Sequence, residues 1–337
     1  TGLLGYGYLW RRNAFDNAKR SAMLSQPQRP GILSGDNGQR SGFLGGATVR
    51  VPGSCGELVQ GLGAGGYFLV SCPVDFFSKV SVEIFDGGPG VDAPDSCTKT
   101  SAAVKATLAH LGKEALRAQV SVVNPIPRSK GLGSSTADVA AAISATATAL
   151  GEEFSPEDVA RLAISVEPSD GVMFPGLALF DHREGRTMEV LGQPPPMELV
   201  ALDFGGTVDT LKFNREDRWR VWESTSVAAE EALVLVRAGI ANGDPAEVGR
   251  GASISALAAQ SVLPKNELPE VMDFADRMGA VGVNVAHSGT VIGILLDARQ
   301  RRGLSVYKQA QRTFPQAESM QHFRLLAGGI RRVDGNS

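Results

Sequence analysis

Cysteine is scarce in this sequence, and its scarcity excludes a disulfide-stabilised fold. The chain has 337 residues and three cysteines, Cys55, Cys72 and Cys97, none in a C-x-x-C pair. A small, odd number of cysteines without paired spacing does not build a disulfide framework. A chain of this length buries about three-quarters of its unfolded surface, so it needs neither disulfides nor metal to fold. We therefore expect free thiols in a reducing compartment, the cytoplasm.

Excess charge, clustered histidines and long apolar runs are also missing. The net charge of −3, from 33 basic and 36 acidic side chains, predicts no nucleic-acid partner and no anionic membrane partner. The four histidines lack H-E-x-x-H or other ligand spacing, which argues against a zinc site. No apolar run reaches the ~18 residues of a membrane span. What remains is the profile of a soluble globular chain with one large or two ordinary domains.

Glycine, in contrast, is in excess: 40 of the 337 residues, about 12%, against a usual ~7%. Part of the excess lies in residues 1–46, which hold nine glycines, six basic and two acidic residues. Such a segment does not bury enough apolar surface to order itself. We predict that residues 1–46 are a disordered leader outside the fold, either an organelle transit segment or an extension left by processing or expression.

From residue 47 onwards, short β-branched runs alternate with helices rich in small residues. Three prolines at 194–196 cannot lie within a helix or a central strand, so they mark a boundary. The pattern predicts an α+β fold in two halves, 47–195 and 196–330, with a tail at 331–337. The predicted strands are 47–51, 67–70, 79–85, 119–123, 177–180, 198–202, 282–286, 290–296 and 322–326, and the predicted helices are 99–111, 134–150, 156–165, 216–241, 245–259, 268–278 and 304–312.

One glycine-rich stretch imitates a dinucleotide site. Gly61, Gly63 and Gly66 spell G-x-G-x-x-G, but that mechanism needs a following helix whose N-terminus holds the pyrophosphate. The residues that follow, 67–70, are strand-like. The pattern therefore favours a hairpin turn between two strands over a dehydrogenase site.

A second glycine-rich loop, residues 127–137 with the sequence P-R-S-K-G-L-G-S-S-T-A, meets the requirements for phosphate binding. It lies between a predicted strand and a predicted helix, so its glycines can turn backbone N–H groups towards an anion at the positive helix N-terminus. It is not a Walker loop, because the lysine precedes the glycines. Ser135 and Asp138 also fit a capping box at the start of the helix. The alternative is an ordinary capped helix after a glycine turn.

Further motifs accompany this loop in order along the chain. They are P-G-S-C-G-E-L-V-Q-G at 52–61 with S-C-P-V-D at 71–75, V-E-P-S-D at 166–170, and N-V-A-H-S-G-T at 284–290. The loop, with its serine pair, resembles the second signature of the GHMP kinase superfamily, which includes galactokinase, homoserine kinase and mevalonate kinase. The four motifs together are similar to those of the L-threonine kinases of cobalamin biosynthesis, and the resemblance extends over residues 47–329.

The resemblance implies a two-domain GHMP kinase-like fold. It implies a ribosomal S5-like α+β domain at 47–195, which binds ATP, and a ferredoxin-like α+β domain at 196–330. The implied reaction uses ATP and Mg²⁺ to phosphorylate the side-chain hydroxyl of L-threonine, giving O-phospho-L-threonine for the aminopropanol linker of adenosylcobalamin. Two alternatives stay open: another GHMP kinase, acting on homoserine, mevalonate or a sugar, and a catalytically silent relative that senses a ligand. The oligomeric state is also open, with a homodimer among the alternatives.

Two carboxylates are the best candidates for the chemistry. Phosphoryl transfer requires groups that hold donor, acceptor and metal in line, and a carboxylate can take the acceptor's proton. Glu167 and Asp170 follow the predicted helix 156–165 on either side of Pro168, so both can point into one cleft; solvated acids in a turn are the alternative. The resemblance assigns Glu167 and Ser134 to Mg²⁺, and Asp170 and Lys130 to catalysis. The ATP-binding residues it implies are Pro127, Arg128, Ser129, Lys130, Gly131, Leu132, Gly133, Ser134, Ser135, Thr136 and Ala137.

The substrate pocket is expected between the first motif and a third glycine-rich loop, 287–293. Taken alone this loop is a hairpin; in the superfamily a turn here supports the phosphate loop from the other half. Each candidate also has an alternative interpretation. For His287 it is a hydrogen-bonded core histidine, and for Glu57 a solvated charge at the end of a strand. For Cys55 and Cys72 it is a small buried packing residue. The predicted substrate residues are Ser54, Cys55, Glu57, Asp75, His287, Ser288 and Gly289.

Overall fold

The computed structural model describes residues 42–206 and 218–333. Its strands are β1 Phe43–Gly63, β2 Gly66–Phe85, β3 Gly90–Asp92, β4 Arg117–Val123, β5 Leu177–Phe180, β6 Met188–Gly192, β7 Met197–Asp203, β8 Gly282–Val285, β9 Val291–Asp297, β10 Ser319–Arg324 and β11 Arg331–Arg332. Its helices are α1 Thr98–His110, α2 Ser134–Ala149, α3 Pro156–Val166, α4 Trp219–Ser224, α5 Ser226–Asn242, α6 Pro245–Ala259, α7 Leu268–Arg277 and α8 Gly303–Thr313.

Within these residues, eleven strands form one sheet. The main order is β10-β7-β9-β8-β1-β2-β4-β3; β11 pairs with β1, and β5 bridges β2 and β6. Strand β3 runs parallel to β4, and the other neighbouring pairs are antiparallel. The predicted α+β class is therefore confirmed.

The second half has the predicted ferredoxin-like arrangement. Its strands β7, β8, β9 and β10 lie in the spatial order β10-β7-β9-β8, with helices between the first and second strands and between the third and fourth. This is the β-α-β-β-α-β pattern of ferredoxin-like folds. The exact division of the chain at 195/196 stays a prediction.

The folded part of the chain extends beyond the predicted limits, residues 47 and 330, in both directions. Strand β1 begins at Phe43, which lies opposite Phe85, and the two rings make an edge contact with centroids 5.6 Å apart. Residues 43–46 of the predicted leader therefore belong to the fold. Strand β11, in the predicted tail, pairs with Val49 and Arg50 of β1. Residues 1–41 of the predicted leader and residues 334–337 lie outside the described residues.

Strands β1 and β2 are much longer than predicted, 21 and 20 residues. Residues 51–62 of β1 are all buried, so no polar alternation reveals the strand in the sequence. Its register shifts three times between Pro52 and Val59, and such bulges redirect side chains at functional sites. The predicted hairpin at 61–66 is confirmed, since Gly63 lies opposite Gly66. Strands β3 and β6 were not predicted.

Helix α2 is the central helix of the first half. Every residue except Ser135 and Thr148 is buried, so the helix has no solvent-exposed polar face. Its alanines, serines and threonines are small, so the helix packs closely on β1 and β2 and against α1 and α3. Because this packing holds α2 in place, it also sets the position of the loop that precedes it.

The predicted helix 216–241 is broken in two. Helix α4 ends at Ser224 and α5 begins at Ser226, while Thr225 between them has φ −104° and ψ 2°. The Thr225 hydroxyl donates a 2.9 Å hydrogen bond back to the Trp222 carbonyl, a local bond that competes with helix continuation. Residues 216 and 217 lie outside the described part. None of the helices in the two described stretches has the length and apolar character needed to cross a bilayer.

Candidate active site

A cavity of about 310 Å³ opens at the N-terminal end of α2. All four sequence motifs contribute to its wall: Glu57 from the first, the glycine loop, Glu167 and Asp170 from the third, and His287 with Ser288 from the fourth. Residues 96–100 at the start of α1 complete the lining. The predicted loop residues that line it are Pro127, Arg128, Ser129, Gly131, Leu132, Gly133, Ser134, Ser135 and Thr136.

The glycine loop is fastened to β1 by its own backbone. The Ser54 N–H donates to the Leu132 carbonyl at 3.1 Å, and the Gly56 N–H to the Gly131 carbonyl at 3.2 Å. Gly133 has φ +65°, and a Cβ there would lie 2.6 Å from the Ser54 hydroxyl oxygen. Glycine is therefore needed at 133 both for its left-handed conformation and for space.

The third glycine-rich loop docks on the first half as a hairpin, as predicted. It joins β8 to β9, and the Thr290 and Val291 N–H groups donate to the Lys130 carbonyl at 3.0 and 3.2 Å. A Cβ on Gly289 would lie 2.3 Å from the Gly131 nitrogen. The side chain of Asn284 adds a 2.6 Å hydrogen bond to the Cys55 carbonyl. The fourth motif thus holds both the phosphate loop and the first motif.

No side chain of the described residues caps the first turn of α2, whose N-cap is Gly133. The predicted capping box is wrong. The Ser135 hydroxyl donates instead to Glu167, and Asp138 accepts from Ser78 at 2.5 Å and from Asn124 at 2.7 Å. The uncapped N–H groups at the helix N-terminus are free to face an anion in the cavity.

The two predicted carboxylates lie together at the cavity. Glu167 is 4% exposed and accepts from Lys99 Nζ at 2.5 Å and from the Ser135 hydroxyl. Oδ2 of the partly buried Asp170 accepts from the Ser54 hydroxyl at 2.7 Å. Burial raises the pKa of Asp170, the Ser54 hydrogen bond opposes this, and the charge of Glu167 adds to the rise. Neither residue is a solvated acid in an exposed turn.

Lys130 does not direct its ammonium into this cluster. Its Nζ lies 2.8 Å from Asp203 and 3.2 Å from Glu318, and it donates to the Gly206 carbonyl at 3.0 Å. Lys130 therefore ties the glycine loop to the second half. The lysine beside the carboxylates is Lys99, in the first turn of α1. It lies outside every sequence motif, so no local signal indicates it.

The Ser134 hydroxyl, predicted to bind Mg²⁺, is hydrogen-bonded within the protein. It donates to the Ile126 carbonyl at 3.1 Å and accepts from Asn124 at 3.1 Å. The hydroxyl of the loop that reaches Glu167 belongs to Ser135.

Of the predicted substrate residues in β1 and β2, Glu57 lines the cavity, whereas Asp75 and Cys55 do not. Glu57, at 4% exposure, is not the solvated acid of the alternative. Asp75 instead accepts a 2.8 Å hydrogen bond from the Arg324 backbone N–H, which anchors the neighbouring β10. The thiol of Cys55 is buried in the core, and burial, helped by the charge of Glu57, raises its pKa to about 12. Cys55 is thus a packing residue, as its alternative interpretation held.

His287 is buried and hydrogen-bonded, although it also lines the cavity. Its Nδ1 lies 2.7 Å from Oε1 of Gln60. Burial lowers the pKa of His287 well below its usual value, and the nearby His182, Arg183 and Lys265 lower it further. Both effects favour the neutral form of the ring.

Comparisons with known proteins agree with this geometry. Residues 98–174 match the family described as GHMP kinases N terminal domain. Two curated proteins named L-threonine kinase are each 34% identical to this chain. The protein from Salmonella typhimurium aligns over 297 residues, 85% of this chain and 95% of its own length. The protein from Citrobacter freundii aligns over 292 residues, 84% of this chain and 99% of its own length.

Solved structures show the same fold at low identity. Homoserine kinase from Cytophaga hutchinsonii has a TM-score of 0.64 at 18% identity, covering 88% of this chain and 100% of its own. Mevalonate kinase from L. major has a TM-score of 0.60 at 16% identity, covering 86% of this chain and 97% of its own. With four motifs gathered at one cavity and relatives aligned along most of its length, the chain belongs to the GHMP kinase family and is a kinase with a hydroxyl group as acceptor.

Proposed function

We propose that the protein is an L-threonine kinase, which transfers the γ-phosphoryl group of ATP to the threonine side-chain hydroxyl. The observation that carries the proposal is the meeting of Asp170, held by Ser54 at 2.7 Å, with Glu167 at the uncapped N-terminus of α2. The substrate is supported by the two relatives named L-threonine kinase, 34% identical over most of the chain. The products are ADP and O-phospho-L-threonine.

The glycine loop and α2 receive the phosphates of ATP. The backbone N–H groups of the loop and the dipole of α2 favour negative charge at this point. Lys99 and Arg128 add cationic side chains to the lining. We assign nucleotide binding to residues 127–137. In place of the predicted catalytic role, we assign Lys130 a structural one: its ion pair with Asp203 holds the loop against the second half.

Asp170 accepts the proton of the threonine hydroxyl. The hydroxyl oxygen then forms a bond to the γ-phosphorus while the bond between that phosphorus and the ADP oxygen breaks, with the two oxygens in line. Burial of Asp170 raises its pKa, although the Ser54 hydrogen bond counteracts this effect. A base whose pKa lies closer to the working pH is a more effective proton acceptor.

Magnesium fits the oxygen donors that line the cavity. Mg²⁺ is usually held by one or two carboxylates plus substrate phosphates. Glu167 supplies such a carboxylate, and the Ser135 hydroxyl beside it is a further oxygen donor. Within 42–206 and 218–333 there is no cluster of three metal-ligating side chains, so the phosphates would complete the coordination. We propose Ser135 in place of Ser134, whose hydroxyl is engaged by Ile126. When bound, the ion neutralises charge on the transferring phosphoryl group.

The similarity of the four motifs to cobalamin-pathway kinases supports a finer assignment. We propose that O-phospho-L-threonine made here supplies the aminopropanol linker of adenosylcobalamin, in the cytoplasm. The small-molecule partners are then ATP and L-threonine.

A substrate panel tests the function. The purified protein is incubated with ATP and Mg²⁺ plus L-threonine, L-serine, L-homoserine, mevalonate or galactose, and ADP and phosphorylated products are measured by mass spectrometry. ADP formation is expected with L-threonine well above the others. ADP formation with homoserine or galactose and none with threonine would contradict the substrate while keeping the kinase. Nucleotide binding without turnover of any acceptor would favour the ligand-sensing alternative.

A further inference from the structure

Glu57 lies in the sheet where the strands of the first half of the chain meet those of the second half. It is the β1 residue that lies opposite Val285 where β1 pairs with β8, and it also lies opposite Ser71 of β2. The register of β1 shifts on both sides of Glu57. The bulged strand therefore directs this side chain into the cavity wall, where Glu57 joins Asp170 and His287 in the lining.

The Glu57 carboxylate is not fully satisfied by the protein. The side chain is 4% exposed, and its buried Oε2 has no hydrogen-bond partner among the described residues. Burial raises the pKa of Glu57 well above its usual value, the charge of Asp170 raises it further, and a hydrogen bond from Ser71 opposes this. An unpaired buried carboxylate is costly, so its presence at a binding cavity indicates a ligand group that completes it.

The two lysines of the protein that lie nearest the loop are already paired with other acids. Lys99 pairs with Glu167 at 2.5 Å, and Lys130 pairs with Asp203 at 2.8 Å. Neither Glu57 nor Asp170 has an ion pair among the described residues, but Asp170 Oδ2 accepts from Ser54, whereas Glu57 Oε2 has no partner there. A compact cation with several N–H donors, such as a primary ammonium, matches a carboxylate that has an open oxygen.

We propose that Glu57 binds the α-ammonium group of the acceptor and thereby selects amino acids over hydroxy acids of the same shape. The inference rests on the proposed function, because it takes the acceptor to be L-threonine. Glu57 is then a specificity-determining residue, while Asp170 remains the proton acceptor.

The test compares L-threonine with (R)-3-hydroxybutyrate, which has the same hydroxyl, methyl and carboxylate but no amino group. Steady-state kinetics are measured for the wild type, Glu57→Gln and the exposed control Glu153→Gln. Because a site built for one hydrogen-bonding group rejects the analogue that lacks it, we expect the wild type to prefer threonine in kcat/KM by about 10²-fold or more.

Glu57→Gln should lose most of that preference. Its kcat/KM for threonine should fall by about 30-fold or more, mainly through KM, while that for (R)-3-hydroxybutyrate stays within about 3-fold of the wild-type value. Glu153→Gln should match the wild type with both acceptors. Calorimetric titration of threonine in the presence of a non-hydrolysable ATP analogue should show the same loss of affinity in Glu57→Gln.

Several results would overturn the inference. Equal losses with both acceptors would make Glu57 a structural or catalytic group, and a raised Mg²⁺ requirement in Glu57→Gln would make it a metal ligand. Unchanged threonine kinetics in Glu57→Gln would overturn this inference alone. A wild type that phosphorylates a hydroxy compound without an amino group, and not threonine, would overturn the proposed function and the inference together.

Discussion

The Ser54 hydroxyl donates a 2.7 Å hydrogen bond to Oδ2 of Asp170, across 116 positions of sequence. This bond joins the first motif, in β1, to the third motif, after α3. Gly133 packs against both residues, since a Cβ there would lie 2.6 Å from the Ser54 hydroxyl oxygen and 3.1 Å from Oδ2 of Asp170. Asp170, the proposed proton acceptor, therefore contacts both Ser54 and the glycine loop. A change at each of the three has a distinct expected effect.

Asp170→Asn should lower kcat with L-threonine by a factor of about 10² or more, because the amide cannot accept the hydroxyl proton. The substitution keeps the size of the side chain, so the dissociation constant for ATP should stay close to the wild-type value. Single-turnover kinetics and equilibrium nucleotide titration measure the two quantities. Unchanged turnover would remove Asp170 from its assigned role.

Ser54→Ala should shift the pH dependence of kcat/KM. The Ser54 hydrogen bond lowers the pKa of Asp170, because it stabilises the charged carboxylate. Without it the pKa rises, so the acid side of the pH profile should move to higher pH. Ser165→Ala, which removes a hydroxyl bonded to the Leu162 carbonyl on an exposed part of α3, is the control. A uniform loss of activity at every pH would show that Ser54 acts only through packing.

Gly133→Ala should weaken ATP binding and destabilise the protein more than Gly151→Ala does. Both glycines have positive φ, +65° and +78°, but a Cβ at 151 meets nothing within 4 Å. Each substitution costs about 1–2 kcal/mol in backbone strain, and only the first adds a collision with Ser54. Nucleotide titration and urea unfolding of both variants measure the difference. Equal effects of the two substitutions would contradict the close packing of the loop on β1.

Glu57→Gln should stabilise the protein, and the gain should grow with pH. Since burial raises the pKa of Glu57 above its ordinary value of 4.5, the folded protein holds this proton more tightly than the unfolded chain does. The carboxylate therefore lowers the free energy of unfolding as pH rises from about 4.5 through the raised pKa. Removing it should add about 1 kcal/mol or more at pH 8 and little at pH 4.5.

Urea unfolding of the wild type and Glu57→Gln at both pH values measures this gain. The control Glu153→Gln changes an exposed carboxylate that lies 3.3 Å from Arg332, so its small effect should not grow between the two pH values. A Glu57→Gln variant that is less stable than the wild type at pH 8 would show that the carboxylate is already satisfied within the protein.

The parts of the site that could be predicted are those encoded locally. The strand, glycine loop and helix around 127–137 follow from glycine spacing and from the small residues of α2. Glu167 and Asp170 could be selected because a proline separates them directly after a helix. Each of these signals lies within about ten neighbouring residues, so it survives without knowledge of the tertiary structure.

The parts that were missed depend on contacts between distant segments. Lys99 belongs to the site because α1 lies beside α3, and no pattern around Lys99 indicates this. Lys130 was predicted to contact phosphate because it lies in the glycine loop. Its ion pair with Asp203 joins the two halves of the fold, and no local sequence pattern reveals it. The full length of β1 was missed because residues 51–62 are buried on both faces, which removes the alternation that identifies a strand.

The most direct test of the account is the fate of the phosphoryl group when wild-type protein, ATP, Mg²⁺ and L-threonine are followed by phosphorus NMR. We expect a threonine phosphate ester that appears in a one-to-one ratio with ADP and is strongly reduced in Asp170→Asn. Release of inorganic phosphate in place of the ester, or no ADP at all with threonine, would contradict it.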